Sequence, residues 1–313
     1  MRAFVLRRLL ATIPVLLVVA VLVFLVTRLT PGDPAAIIAG NSANFEQIAH
    51  IRAALGLDRP LAVQFGSWLW DVLHGDLGRS FYFKLTVAQL IGQRLGPTVA
   101  LSLCTIVVSV LLAVPLGVLA AWRHGGWLDR ALMGFSVLGF SVPVFVLGYV
   151  LIYVVALKLR WLPVQGYVPL ADGLVPFVRH LILPSVTLSV TYIALIARVT
   201  RATVAEALGE DYVRTARAKG LPEARVLIRH ALANAAVPIV TVIGIGIALL
   251  VGGVVVTESV FSIPGLGRLT VDAVLARDFP TIQGVILCFS VIYVLINLLV
   301  DLSYALFDPR IRY

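Results

Sequence analysis

Across 313 residues the chain is 60% hydrophobic and only 13% charged, with a mean hydropathy of +1.01. A soluble domain of this size carries roughly a quarter of its residues charged, so lipid must supply much of the solvent here. The net charge of +9 does not indicate a nucleic-acid binder, because the basic residues sit in short clusters between apolar runs, where membrane topology accounts for them.

Six windows are long and apolar enough to cross about 30 Å of hydrocarbon as helices: 9–28, 98–122, 132–157, 181–199, 236–259 and 283–305. The expected fold class is therefore an all-α polytopic membrane protein with six transmembrane helices. The first window follows Arg2, Arg7 and Arg8, as a signal peptide would. Its length and the absence of a small-residue cleavage site before Thr30-Pro31-Gly32-Asp33-Pro34 favour a retained span.

Between the first two windows, 29–97 reads as short helices on the outer surface. Asn44 and Gln47 are spaced as a capping box, Ile48, Ile51 and Leu55 share a face, and Gly56 is a stop. Pro60 can open a second helix whose face carries Leu61, Phe65, Trp68 and Val72, until Gly75 ends it. The aromatics Trp68, Trp70, Phe81 and Tyr82 suit the headgroup zone. Packing over the helices is the expected role of this segment, with docking of a partner as the alternative.

Further along, Pro115, Pro143, Pro184 and Pro238 interrupt four windows, which a bilayer tolerates where neighbours satisfy the freed carbonyls. Hydroxyls mark two windows: Ser102, Thr105 and Ser109, then Ser185, Thr187, Ser189 and Thr191. They could line a polar path, or bond to carbonyls one turn back or across helices. Gly244, Ala248 and Gly252 form a small-residue stripe that suits close helix packing. Glu258, near the outer end of the fifth window, and Asp301, near the inner end of the sixth, read as anchors. Arg268 or a partner subunit is the expected contact of Glu258; Arg310 or Arg312 is that of Asp301. Cys104 and Cys288 lie inside apolar runs and build neither a disulfide framework nor a metal site.

Orientation follows from the Lys and Arg between windows. With the N-terminus inside, Arg2, Arg7, Arg8, Arg123, Arg130, Arg198, Arg201, Arg214, Arg217, Lys219, Arg225, Arg229, Arg310 and Arg312 share the cytoplasmic side, a majority of the 25. Both termini are then cytoplasmic. The expected organisation is a first span and external segment over 1–94, a transmembrane domain over 95–304 with a cytoplasmic loop at about 201–234, and a tail over 305–313.

That loop is the most informative stretch. Glu210 and Asp211 favour the start of a short helix, and Arg217 and Lys219 its end. Gly220 suits a left-handed position after the helix, Leu221 the apolar contact beyond it, and Pro222 with Glu223 the opening of a second helix through Leu227, Ile228 and Ala231. Ala216 and Ala218 keep the first helix slim, while Tyr212 and Val213 give it apolar bulk. Such an element can enter a groove on a soluble partner, although the topology rule alone would also produce a basic loop.

The stretch Asp211-Tyr212-Val213-Arg214-Thr215-Ala216-Arg217-Ala218-Lys219-Gly220-Leu221 resembles the coupling loop of ABC importer permeases of the dipeptide and oligopeptide (peptide/nickel) type. It departs from that family's general pattern, EAA-x3-G-x9-I-x-LP. Aligned on Gly220, only Ala216 and Leu232 match, and Arg214, Thr215, His230 and Ala233 do not. The likeness is to the peptide-type variant, and it extends to Arg7-Arg8-Leu9, Pro31-Gly32-Asp33-Pro34, Leu55-Gly56-Leu57-Asp58, Gly75-Asp76-Leu77-Gly78, Thr257-Glu258 with Phe261, Pro264-Gly265-Leu266-Gly267 and Asp308-Pro309-Arg310-Ile311-Arg312-Tyr313. The resemblance implies the type I importer transmembrane fold, a multi-pass place in a bacterial inner membrane, a second homologous permease, two ABC ATPase subunits and an extracytoplasmic substrate-binding protein. It implies that Asp211, Tyr212, Arg214, Thr215, Ala216, Arg217, Ala218, Lys219, Gly220 and Leu221 dock on the ATPase.

No GxxxxGK(S/T), HExxH or GxSxG occurs, so neither ATPase nor hydrolase chemistry is expected in this chain, and no cofactor either. ATP and Mg belong to the partner subunits. Peptide is the expected cargo; nickel chelates, glutathione or another small solute fit the same architecture. An ion-coupled secondary transporter would carry inverted repeats and paired midplane charges, which are not seen.

Overall fold

A computed structural model describes residues 2–29, 35, 36, 44–54 and 56–307. Its helices are α1 (Arg2–Leu29), α2 (Phe45–Ala54), α3 (Leu61–Leu73), α4 (Val87–Trp122), α5 (Trp127–Ser141), α6 (Val144–Leu151), α7 (Leu174–Gly209), α8 (Asp211–Ala218), α9 (Ala236–Val260), α10 (Leu266–Leu275) and α11 (Phe279–Phe307). Wider π turns extend α6 over Ile152–Lys158 and lead into α9 over Val226–Leu232. Among the described residues the only β feature is an isolated bridge between Arg79 and Thr86. The Pro31–Pro34 and Asp308–Tyr313 motifs and Leu55 lie outside the described residues.

Five helices are long and apolar enough to cross a membrane: Leu10–Leu29, Val87–Trp122, Leu174–Gly209, Ala236–Val260 and Phe279–Leu302. The sixth expected span is a pair, Trp127–Ser141 and Val144–Lys158, bent by 102°. The cause is Pro143. A residue before proline is pushed out of the α region, and Val142 is extended at φ −89° and ψ 120°. The Pro143 carbonyl then accepts from Val146 N at 3.0 Å and starts α6. The other prolines break nothing. Pro115 and Pro184 lie inside continuous α4 and α7, and Pro238 falls in the first turn of α9, where a missing N–H is harmless.

The chain forms two compact units. The larger contains Pro97–Arg268 and the chain from Leu295; the other contains Leu6–Gly96 and Leu269–Val294. In the larger unit α7 is central, with 67% of its apolar window buried, and it packs along both α5 and α9. The core gathers Leu101, Leu188, Tyr192, Ile196, Leu250 and Phe261. Small residues set the close approaches. A Cβ on Gly117 would sit 2.6 Å from Thr200 Cβ, and one on Gly244 would sit 2.6 Å from Val300 Cγ2. Gly244 of the small-residue stripe is thus buried against α11, Ala248 is half-buried, and Gly252 is exposed with open space beside it.

Hydroxyls in these helices mostly bond to backbone. Thr105 donates to Leu101 O at 2.8 Å, Thr187 to Leu183 O at 2.8 Å, Ser189 to Val186 O at 3.0 Å, and Thr191 across helices to Gly139 O at 3.3 Å. Ser109 and Ser185 bury an Oγ without a hydrogen-bond partner.

The second unit is held by aromatics and one carboxylate. Phe24 of α1 is 2% exposed and meets Phe65 and Trp68 of α3, with ring centroids 5.4 and 5.7 Å away. Leu61 lies outside that face, and the buried neighbour is Gln64, whose Nε2 donates to Leu57 O and Arg59 O. Trp70 and Tyr82 are exposed. Asp278, 1% exposed, accepts from Ser80 Oγ at 2.5 Å, Phe81 N at 3.1 Å and Thr281 Oγ1 at 2.6 Å. It therefore ties the 79–86 turn to the start of α11. The expected capping box is present: Gln47 N donates to Asn44 Oδ1 at 2.8 Å and Asn44 N to Gln47 Oε1 at 3.1 Å.

Candidate functional site: the α8 turn

The 36 residues of α7 span about 54 Å at 1.5 Å per residue, well beyond about 30 Å of hydrocarbon. The helix is therefore longer than one crossing needs, and Arg201 onward, which reads as loop in sequence, continues it as helix to Gly209. This far end is braced. Val204 and Ala207 pack with Ala121, Ala231, Ala235 and Ile239. Arg201 clamps Asp129, donating Nε to Oδ1 and Nη2 to Oδ2, both at 2.8 Å. Gly125 N adds a third bond to Asp129 at 2.9 Å, and His124 Nδ1 lies 3.0 Å from Arg201 Nη2. Sequence reading passed over Asp129. A lone acid within the basic Arg123–Arg130 connection is the signal that was available.

α8 sits on this brace. Val213 (0% exposed) and Ala216 (6%) turn inward onto Val226, with Leu208 and Leu221 against them. Asp211, Tyr212, Arg214, Thr215, Arg217, Ala218, Lys219 and Gly220 are exposed. The inward pair comes three residues apart, so the outward face is polar and basic, with Tyr212 as its large ring. Local bonds stiffen the helix: Thr215 Oγ1 donates to Asp211 O at 3.0 Å, and Arg214 Nη1 lies 3.2 Å from Asp211 Oδ1.

The end of α8 is a Schellman motif. Leu221 N donates to Ala216 O at 3.3 Å and Gly220 N to Arg217 O at 2.9 Å, with Gly220 at φ +75°. Nothing lies within 4 Å of a Cβ built on Gly220, so only backbone conformation calls for glycine there. Arg217 then reaches across the turn to Glu223, with Nη2–Oε1 at 2.6 Å and Nε–Oε2 at 3.2 Å. The hydrogen bond from Arg217 holds the Glu223 carboxyl below its ordinary value. This two-pronged clamp was not read from sequence, where Arg217 and Glu223 appear only as terminal charges of separate helices.

A second turn joins α9 to α10. Glu258, 0% exposed, accepts from Thr98 Oγ1 at 2.6 Å and from Arg268 N at 3.0 Å; Thr98 Oγ1 also accepts from Leu266 N at 2.8 Å. The carboxylate thus sits against the first N–H groups of α10, where the helix dipole favours negative charge. It meets Arg268 through the backbone. A Cβ on Gly265 would overlap that carboxylate, and one on Gly267 would lie 2.5 Å from Val255 Cα. Asp301 is half-buried in α11, and its expected contacts Arg310 and Arg312 lie outside the described residues.

The family model for the binding-protein-dependent transport system inner membrane component matches residues 113–313, and the model of its N-terminal part matches residues 1–102. A protein of Sinorhizobium fredii described as a probable peptide ABC transporter permease is 57% identical over the full length of both chains. A glutathione transport system permease of Salmonella typhi is 46% identical, covering 99% of each chain. Among solved structures, the MetNI methionine ABC transporter in an inward-facing conformation matches with a TM-score of 0.58 at 20% identity, covering 70% of this chain and 97% of that one. With an all-helical fold, five or six candidate spans and relatives matched end to end, the chain belongs to the family of binding-protein-dependent transport system inner membrane components.

Proposed function

We propose that this chain is a permease subunit of an ATP-driven importer of dipeptides or oligopeptides in a bacterial inner membrane. A second homologous permease completes the pathway, two ABC ATPase subunits supply the energy, and an extracytoplasmic binding protein delivers cargo. The observation that carries this reading is the α8 turn: an exposed basic face with a tyrosine, fixed from behind by buried Val213 and Ala216 and at its end by the Gly220 motif. A partner pressing on that face moves α7 and the lead-in to α9 together, because packed helices shift between discrete arrangements rather than deforming. The chain has no phosphate-binding loop of its own, which fits an element that receives force. Family membership and the peptide-transport relative support the cargo class. The Salmonella typhi relative favours glutathione as a second reading.

Substituting Gly220→Val tests the coupling. The complex is expected to assemble with ATP hydrolysis no longer tied to uptake. Uptake at the wild-type rate in an assembled complex would contradict the proposal. Cargo is tested by ligand screening of the binding protein expressed with this chain.

A further inference from the structure

Between the end of the α6 π extension and the first turns of α7, in the larger unit, lies an open cleft of about 450 Å³. Arg160, Arg179 and His180 line it together with Leu162, Pro163, Val175 and Pro176, and no acidic side chain is among them. Two of its side chains are held by hydrogen bonds to backbone carbonyls, and Arg160 has φ +58°, in the left-handed region. Arg179 Nη2 donates to Trp161 O at 3.0 Å, which leaves the rest of its guanidinium for another acceptor. His180 Nδ1 donates to Pro176 O at 2.8 Å, which fixes the ring at the cleft wall. Around the cleft, Leu159, Trp161, Leu174, Val175 and Val178 are exposed, Trp161 at 66% and Val175 at 69%.

We propose that this cleft binds the phosphate headgroup of an anionic phospholipid. Two arginines around one cavity fit a phosphodiester, and arginine is the side chain suited to its geometry. The surrounding apolar residues separate lipid from a soluble acidic partner. An acidic protein surface would match the arginines but leave Trp161, Leu174 and Val175 facing polar groups, whereas a phospholipid offers both a headgroup and acyl chains. The position agrees, since α7 is a candidate membrane span that begins at this cleft and the second half of the bent pair, Val144–Lys158, ends beside it. The segment predicted to face outside thus gains a contact with the outer leaflet that does not depend on the cargo.

The test is native mass spectrometry of the full chain, with whatever subunits it retains, after incubation with phosphatidylglycerol or phosphatidylcholine in mild detergent. The expected result is retention of phosphatidylglycerol over phosphatidylcholine, with affinity lowered about tenfold in Arg160→Gln/Arg179→Gln. Single Arg160→Gln guards against misfolding, since this side chain lines the cleft from an exposed position; it is expected to melt as wild type and still lose lipid. Equal retention of the two lipids overturns the proposal. So does undiminished phosphatidylglycerol binding in a folded Arg160→Gln, displacement by inorganic phosphate at equal concentration, or occupation of the cleft by the binding protein in a cross-linking control.

Discussion

The chain contains two helix–turn–helix elements that look alike in sequence and differ in physics. Both carry glycine and proline between helices: Gly220 and Pro222 after α8, Pro264 and Gly265 before α10, with Gly267 in the first turn of α10. At the α8 turn the surroundings are empty and glycine supplies a left-handed φ of +75°. At the α10 turn glycine supplies space, because the buried Glu258 carboxylate occupies the volume that a Cβ would need. The left-handed position of that second turn falls instead on Ser262, at φ +51°, where Ile263 N donates to Glu258 O at 2.9 Å. The exposed turn is free to meet something else. The buried turn is closed on itself.

The comparison fails first, if it fails, at Glu258. Glu258→Leu strands the Thr98 hydroxyl and the N–H of Arg268 in a buried site, at a cost of about 4 kcal/mol. The expected result is loss of the assembled chain in gel filtration, while Glu258→Gln, which keeps an acceptor, assembles and transports. A stable, active Glu258→Leu protein would remove the carboxylate from its anchoring role. Next come the paired glycine substitutions. Gly265→Ala is expected to cost about 3 kcal/mol, since its Cβ meets an anchored carboxylate. Gly220→Ala costs about 1 kcal/mol of backbone strain alone. Melting temperatures of the two variants give the order, and equal values would erase the distinction.

The smallest effect belongs to the Arg217–Glu223 clamp. Its side chains are 42% and 37% exposed, and a pair so well solvated contributes under about 1 kcal/mol, less in salt. Arg217 lowers the Glu223 pKa below its reference of 4.5. The contribution is therefore full above that reference and is lost as pH falls through the lower folded value. Arg217→Gln should therefore lose that whole contribution, under about 1 kcal/mol, at pH 7, and the gap to wild type should close as pH falls below about 4.5, which flattens the acid limb of the stability profile.

What could be read beforehand follows the range of the interactions. The stop at Gly220, the Asn44–Gln47 box and the stops at Gly56 and Gly75 depend on residues within one turn, so spacing reveals them. The six apolar windows were legible because hydrocarbon thickness fixes their length. Partners distant in sequence were not. Thr98 lies 160 residues from Glu258, and Ser80 lies 198 from Asp278; no local pattern marks either pair. The break at Pro143 was legible, but not that Pro115 and Pro184 would leave their helices whole, which depends on neighbours packed around them. On α8 the spacing marked the helix and its stop, but the inward turn of Val213 and Ala216 required knowing that Val226 folds back beneath them.

The central claim is that the outward face of α8 receives the ATPase. A photoreactive side chain at Tyr212 or Lys219, compared with one at Trp161 on the predicted outer side, tests it directly. Tyr212 and Lys219 should cross-link to a soluble subunit carrying a phosphate-binding loop, and Trp161 should not. Equal labelling at all three positions, or none at Tyr212 and Lys219 in a transport-competent complex, would contradict it.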